Sequence, residues 1–317
     1  MMDASSNQKA VAAALINALI IGLSFIFVKI ALSVSDPLDT LAHRFTLSFL
    51  AASLFAFPGR ARLKAAMPRA AKLLPLALLY PSLFFALQAF GLLYAPSSVA
   101  GIVQAVVPVF TMILAAIFLK EHTTLAQKMF TLVSVAGVVL IFAVPGVSIS
   151  SASLGGILLI LLSALSMAGY NAGARRMTKT WSPKEMTYII TFFGFLFFNA
   201  VSVIKHISAG TLSQYFVPLQ EPKFLMAMLY LGVLSSLITS LLTNYALSRM
   251  EASRVSVFGS LSTVVTIAGG VLLLNERLDW YHWVGAVLII GGVMGVNLKR
   301  RPSVQADQSK QIGGSNG

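Results

Sequence analysis

The acidic side chains, which are the first candidates for chemistry, lie where hydrophobic runs begin or end. All ten occupy connections, tails or run ends: Asp3, Asp36, Asp39, Glu121, Glu185, Glu221, Glu251, Glu276, Asp279 and Asp307. Acid–base catalysis by carboxylates needs a pair held close together, and the spacing indicates no such pair. The sequence therefore gives little support to an enzyme, and we expect no catalytic residue.

Metal and nucleotide chemistry have no recognisable motif either. The histidines, His43, His122, His206 and His282, are too dispersed for a metal motif. The chain has no cysteine, which excludes disulfides and thiolate chemistry, and it has no phosphate-binding glycine loop ending in GK[ST]. We expect no metal site and no cofactor. His43 is the one group inside a hydrophobic run that titrates near neutral pH, since no run contains a buried carboxylate.

Two basic residues, Lys29 and Arg44, lie inside hydrophobic runs. Each is about six residues from a run end, which corresponds to a depth of roughly 9 Å in a helix. A charge at such a depth is a functional candidate by default. Each side chain could instead snorkel to the interface, or form a structural pair with Asp36 or Asp39. For Lys29, a tether near a gate and a contact for an anionic substrate group both stay open.

The elements that carry these residues are hydrophobic runs of membrane-spanning length. Of 317 residues, 57% are hydrophobic and only 10% are charged, against about 25% charged in a soluble domain. A run of roughly 20 apolar residues crosses the bilayer as a helix. Ten runs qualify: 10–34, 39–57, 71–94, 97–119, 125–144, 153–175, 185–204, 223–248, 253–274 and 280–298. The predicted fold is an all-α integral membrane protein with ten transmembrane helices.

Lysine and arginine mark alternate connections between the runs. Eighteen lie in one set of connections and tails and three in the other set, a strong positive-inside imbalance. We expect both termini in the cytoplasm, with a segment 1–9 before the first run and a disordered tail 299–317 after the last. The net charge of +13 does not indicate nucleic acid, because the basic residues lie between hydrophobic runs.

The chain repeats itself. Shifting "LYAPSSVAGIVQAVVPVFTMILAAIFLKE" by 155 residues superposes it on "SRMEASRVSVFGSLSTVVTIAGGVLLLNE", with Glu121 on Glu276, and a shift of 146 pairs Lys29 with Arg175. This predicts two five-helix repeats, 10–144 and 153–298. Because five is odd, the second copy enters the membrane from the opposite side, an inverted repeat typical of transporters.

Polar residues that recur at helical spacing predict which spans line a central cavity. A polar side chain in lipid is costly, so such stripes face protein or water. Spans 1, 3, 4, 6, 8 and 9 carry stripes, whereas spans 5 and 10 are aliphatic and are expected at the periphery. The cavity candidates are Ser24, Tyr80, Gln88, Gln104, Tyr170, Asn244, Ser256 and Ser260. Tight helix packing is the alternative for the small residues.

Prolines and helix-end glutamates are candidates for gating or structural roles. Pro81 and Pro108 lie within spans 3 and 4, where each removes a backbone hydrogen bond and frees a carbonyl. Such a kink could allow the helix to bend during gating, or it could have a purely structural role. Glu121 and Glu276 lie at the ends of spans 4 and 9. The candidates for gating or structural roles are therefore Lys29, Arg44, Pro81, Pro108, Glu121 and Glu276.

Several motifs together resemble the EamA-type members of the drug/metabolite transporter superfamily. They are "GLSFIFVK", "PLDTLAHRF", "VPVFTMILAAIFLKE" and "LLLNERLDWYHWVGAVLIIGGV", and the resemblance covers about residues 10–298. Thr263 and Phe130 depart from the pattern, where a proline and a glycine are usual. The resemblance implies a ten-helix carrier of the cytoplasmic membrane that moves small metabolites, often amino acids or related compounds, outward without a cofactor.

The expected function is a secondary carrier that exports small metabolites by alternating access. The alternatives are an exporter of drugs or hydrophobic cations, which the lack of a membrane carboxylate disfavours, and a membrane-embedded enzyme or sensor subunit. The expected partners are a small-molecule substrate and the lipid bilayer, with no nucleic acid, and the protein is expected to be a monomer or homodimer.

Overall fold

The structure is a computed structural model that describes residues 4–55, 67–119, 124–144 and 151–298. Glu121 therefore lies outside the described residues, and the side chain of Ser260 is likewise not described. Every regular element in these ranges is helical, as the apolar composition predicts.

Ten long helical stretches follow one another in the described ranges, with one short 3₁₀ helix between the seventh and eighth. They are α1 (Ala4–Leu32), α2 (Pro37–Phe55), α3 (Met67–Tyr94), α4 (Ser97–Gln104 and Val107–Leu119), α5 (Leu125–Ala143), α6 (Ser151–Met177), α7 (Pro183–Ala209), the 3₁₀ helix (Leu212–Gln220), α8 (Pro222–Arg249), α9 (Ala252–Leu274) and α10 (Trp280–Leu298).

Length and apolar composition make this an integral membrane protein. Six helices in the described part of the chain are long and apolar enough to cross a bilayer: those in α1, α3, α4, α6, α7 and α8. Three shorter apolar helices lie in α5, α9 and α10. With α2 and the 3₁₀ helix, the described ranges contain eleven helical elements, and the prediction of ten membrane crossings in an inverted repeat stays a prediction.

Three of the long helices are interrupted near their middles. Within α3, Leu78–Leu83 is a π-helical segment, and Tyr80 has non-helical φ and ψ of −139° and 119° because it precedes Pro81. Within α8, Tyr230–Ile238 is also π-helical. In α4 the helix stops at Gln104 and resumes at Val107, one residue before Pro108. The interruptions of α3 and α8 include buried residues, among them Tyr80, Pro81, Ser235 and Ser236.

Contacts between the two halves of the chain hold the bundle together. Helix α1 packs on α9, α2 on α7, α3 on α6 and α4 on both α6 and α9. Gly91 and Gly156 bring α3 and α6 together, since a Cβ on Gly156 would lie 2.9 Å from the Gly91 carbonyl oxygen. Helix α5 packs mainly on α10, where the Ser134 hydroxyl donates to the Ile289 carbonyl at 3.0 Å.

Candidate functional site in the buried polar residues

Arg44 is buried at the contact between α2 and α8. Its side chain is 1% exposed. Its Nε donates to the Ser236 hydroxyl at 2.7 Å, and its Nη2 donates to the Ser235 hydroxyl at 3.0 Å. The guanidinium carbon lies 4.0 Å from the centre of the Phe85 ring. The snorkelling and the Asp36 or Asp39 pairing considered for Arg44 are therefore wrong, because its partners are two serines and an aromatic ring.

Three of the predicted cavity residues meet beside Arg44. The Tyr170 hydroxyl donates to Asn244 Oδ1 at 2.6 Å, and Asn244 Nδ2 donates to the Thr187 hydroxyl at 3.1 Å. The rings of Tyr80 and Tyr170 have centres 4.8 Å apart, and Tyr80 also contacts Phe85 at 5.2 Å. Side chains from α3, α6, α7 and α8 therefore form one continuous buried cluster that reaches Arg44.

A second polar group joins α4, α6 and α9. Gln104, at the interruption of α4, donates to the Ser163 hydroxyl at 2.6 Å. Asn171 donates to Ser256 at 3.2 Å, and Ser256 donates to Thr111 at 3.1 Å. Five of the predicted cavity residues thus lie in these two groups, which the sequence pattern did not separate.

The remaining predicted cavity and kink residues have local roles in this structure. The Ser24 hydroxyl donates to the Ile21 carbonyl of its own helix at 2.7 Å, and Gln88 is buried at 4% exposure. At the α3 interruption the Leu79 carbonyl accepts from the Ser166 hydroxyl at 2.8 Å, in addition to the backbone N–H of Phe84.

Glu276 closes one end of the bundle by capping the first part of α4. Its Oε1 accepts from the amide of Ser97 at 2.7 Å and from its hydroxyl at 2.8 Å, and its Oε2 accepts from the amide of Ser98 at 2.8 Å and from its hydroxyl at 2.6 Å. Burial by itself raises the pKa of Glu276, but these four bonds outweigh it and hold the pKa below its usual range. Lys29 lies within electrostatic range of this carboxylate, and the ion pairs of Asp36 and Asp39 in the described ranges are formed with Lys205 and His206.

A buried ionic cluster lies at the start of α2 and the end of α7, and the sequence analysis missed it. The Asp39 carboxylate is 4% exposed and accepts from Lys205 at 2.8 Å, contacts His206 Nε2 at 2.9 Å and accepts from the Ser202 hydroxyl. One turn further along α2, His43 Nε2 donates to the Tyr215 carbonyl at 2.8 Å.

Two expectations about titratable groups are corrected by this cluster. A buried carboxylate, Asp39, does exist in the first turn of a run, and His206 lies inside α7 rather than in a connection, because α7 continues to Ala209. The available signal was the four-residue spacing of Asp39 and His43, which places both on one helix face. In the described part of the chain, no group of three metal-ligating side chains is found.

An apolar recess of about 250 Å³ lies between α3 and α7. It is lined by Leu74, Ala77, Leu78, Ser82, Phe193, Leu196 and Phe197. None of the residues that contact Arg44 or Gln104 lines this recess.

The chain matches one transporter family along nearly its whole length. Residues 8–143 and residues 154–298 each match the EamA-like transporter family. The protein therefore belongs to the EamA-like transporter family, and it is a multi-pass membrane transporter, which bears out the resemblance found in the sequence.

Individual relatives agree with the family. The chain is 53% identical over 299 residues to a Bacillus subtilis protein described as an uncharacterized transporter, YcxC, covering 93% of this chain and 96% of the relative. It is 29% identical over 211 residues to the S-adenosylmethionine uptake transporter of Rickettsia conorii, covering 66% of each chain. A solved crystal structure is similar at a TM-score of 0.63 and 18% identity, covering 90% of this chain and 96% of that one, which supports the fold alone.

Proposed function

We propose that this protein is a secondary carrier that exports amino acids or related small metabolites across the cytoplasmic membrane by alternating access. The observation that carries the proposal is the buried polar cluster of Arg44, Tyr80, Tyr170 and Asn244, which lies where the π-helical segments of α3 and α8 meet the opposite half of the chain. Polar side chains and interrupted helices deep in a membrane protein mark substrate pathways.

Two features support an inverted repeat as the basis of the two transport states. The shift of 155 residues that defines the repeat takes Pro81 onto Ser236, so the π-helical segments of α3 and α8 occupy equivalent positions. The helix contacts also follow the repeat, which relates each of the first five helices to the helix five places later. The contact of α1 with α9 corresponds to that of α6 with α4, and the contact of α3 with α6 corresponds to that of α8 with α1. We propose domains 10–144 and 153–298 on this basis.

The alternative of a drug or hydrophobic-cation exporter is less well supported. Among the described residues, the central cluster contains a guanidinium and neutral hydroxyls but no carboxylate that could pair with a cation lacking its own anionic group, and the buried Asp39 is already paired with Lys205 and His206. An amino-acid substrate class also fits the relative named for uptake of S-adenosylmethionine, a methionine derivative. That name concerns uptake, so the transport direction needs its own measurement.

The test is flux through the purified protein in liposomes. We expect counterflow of at least one labelled compound from a panel of the common amino acids and S-adenosylmethionine, with none in protein-free liposomes. We also expect Asn244→Ala to lower the flux at least fivefold, because it removes the link between Tyr170 and Thr187, whereas the exposed Ser208→Ala control retains it.

Two outcomes would contradict the proposal. Chemical conversion of a compound without net flux would indicate an enzyme. Flux only into cells or right-side-out vesicles, with none outward under an imposed outward gradient, would reverse the proposed direction while leaving the carrier itself established.

A further inference from the structure

We propose that Arg44, with the hydroxyls of Ser48 and Ser240, forms the binding site for a carboxylate group of the transported metabolite. This inference deepens the proposed function and rests on it. It names the chemical group that the site recognises and the three residues, from α2 and α8, that recognise it.

The charge of Arg44 has no carboxylate partner among the residues that the structure describes. A guanidinium stays protonated under all ordinary conditions, and a buried charge without a partner costs several kcal/mol. Within the described ranges, the ion pairs join Asp36 and Asp39 to Lys205 and His206, and no carboxylate lies within ion-pair distance of Arg44. The serine hydroxyls that contact Arg44 are neutral, so they solvate its charge without balancing it.

Two buried hydroxyls near Arg44 lack hydrogen-bond partners. Ser48 is 0% exposed and Ser240 is 3% exposed, and the Oγ atom of each has no partner in the structure. Ser48 lies four residues after Arg44 on α2, and Ser240 lies four residues after Ser236 on α8. Residues at this spacing share a helix face, so both hydroxyls lie about one turn from the Arg44 contact.

Such unpartnered groups are unusual in native structures. Roughly 90% or more of buried polar groups have a hydrogen-bond partner, so each exception calls for an explanation. A charged arginine without an anion and two hydroxyl donors without acceptors have one explanation in common, which is an anionic acceptor that binds among them.

The chemistry of the three groups favours a carboxylate. A guanidinium offers five N–H donors in a planar fork, which matches the two oxygens of a carboxylate, and the contacts to α8 use only Nε and Nη2. One positive charge balances one carboxylate, whereas a phosphate dianion would leave an uncompensated buried charge. Phe85 under the guanidinium and Tyr80 beside it present an apolar wall for the rest of the substrate.

The first experiment measures binding and does not depend on transport. Purified protein is heated in the presence of acetate, glycine or methionine, and separately with the matched amide of each compound or with inorganic phosphate. We expect at least one carboxylate to raise the thermal midpoint of the wild type while its amide and phosphate do not. The same carboxylate should not stabilise Arg44→Gln. Arg176→Gln, which removes an exposed arginine, should respond as the wild type does.

The second experiment measures recognition during flux. For each amino acid that the wild type transports, its methyl ester should compete at least tenfold more weakly than the free acid. Arg44→Lys should keep part of that preference, and Ser48→Ala should raise the KM about threefold with kcat nearly unchanged. A merely structural Arg44 would alter stability without altering the preference for acid over ester.

Opposite results would overturn the inference. It is wrong if esters or amides match the free acids in the wild type, if phosphate stabilises in their place, or if Ser48→Ala and Arg44→Lys leave the acid preference unchanged. If carboxylates stabilise the wild type but none of the panel is transported, the proposed function fails and the carboxylate site stands. If amino acids are transported without regard to their carboxylate, the site fails and the carrier stands.

Discussion

At the scale of single residues, the partners of a buried charge indicate whether its role is structural or functional. Arg44 and Asp39 both belong to the "PLDTLAHRF" segment of α2, and both are almost completely buried. Asp39 is paired with Lys205 and His206, whereas the partners of Arg44 among the described residues are the hydroxyls of Ser235 and Ser236, the Ser235 carbonyl and the Phe85 ring, all of which are neutral. Charges five residues apart thus have different surroundings, and the one without a counter-ion is the better candidate for substrate recognition.

Glu276→Gln should weaken the closure at the capped end of α4. The glutamine keeps one acceptor oxygen but presents an amide to Ser98, whose N–H and O–H then lose their acceptor. Since a hydrogen bond to a charged group contributes about 1.5–3 kcal/mol, we expect a loss of about 2 kcal/mol and a lower thermal midpoint. Glu185→Gln, at the exposed cap of α7, is the matched control and should change little. An unchanged midpoint for Glu276→Gln would show that the cap adds no stability.

The same substitution carries a pH signature. Because the pKa of Glu276 is held below its usual range in the folded protein, its stabilisation is complete above the ordinary carboxylate pKa of about 4.3 and is lost as the pH falls below that value. The difference in thermal midpoint between wild type and Glu276→Gln should therefore be constant from pH 7 to about pH 5 and should shrink toward pH 4. A difference that grows on acidification would contradict the assignment.

Two features shape the helices of this protein: glycines that let neighbouring helices approach closely, and π-helical segments that interrupt the regular α-helix. The glycines of α3 and α6 let two backbones approach, and the π-helical segments of α3 and α8 place Tyr80, Ser235 and Ser236 in the buried cluster. Pro81 accounts for the interruption of α3 by steric exclusion of the helical conformation at the preceding residue. Its repeat counterpart is Ser236, so the interruption of α8 arises without a proline, and local sequence does not account for it.

Gly156→Ala should destabilise the contact between α3 and α6. The added methyl would lie 2.8 Å from the Tyr94 Cβ and 2.9 Å from the Gly91 carbonyl oxygen, so the two helices must separate. Overpacking of this kind costs about 1–3 kcal/mol. Gly155→Ala is the matched control, because no atom lies within 4 Å of its added methyl, and it should be neutral or slightly stabilising. Thermal unfolding in detergent measures both, and equal midpoints would refute the close contact.

The whole molecule is an EamA-like transporter. Its two segments that match the family, 8–143 and 154–298, contact each other along several helix pairs. Such cross-contacts are the interfaces that must rearrange if one half rocks against the other. The hydrogen bonds of Arg44 to Ser236, of Gln104 to Ser163 and of Ser97 to Glu276 lie at these contacts, so they are placed where a change of state would make and break bonds.

The topology proposed for the whole chain predicts where its ends lie. A reporter fused after residue 317 should be cytoplasmic, because lysine and arginine are concentrated in the connections on that side. The matched control is a reporter fused within the connection 275–279, which should lie on the opposite side. Paired alkaline phosphatase and fluorescent-protein fusions measure both positions. Finding the two reporters on the same side would overturn both the topology and the inverted repeat.

The sequence by itself determined that the protein is a helical membrane transporter and which residue types deserve attention. Membrane-spanning runs depend on local composition, so the helices lie close to their predicted positions, with α7 extending five residues further. Tyr80, Tyr170 and Asn244 were selected for a similar reason, because a polar group in a hydrophobic run is costly wherever the helix packs.

Only the tertiary structure decided which polar groups are satisfied. Asp39 and His206 are 167 positions apart, and Arg44 and Ser236 are 192 apart, so no local pattern connects them. Whether a buried charge is paired depends on which helix faces pack together, and helical periodicity places a residue on a face without naming the neighbour. That is why the sequence marked Arg44 as unusual, while the packing of α2 against α8 left it with hydroxyls in place of a counter-ion.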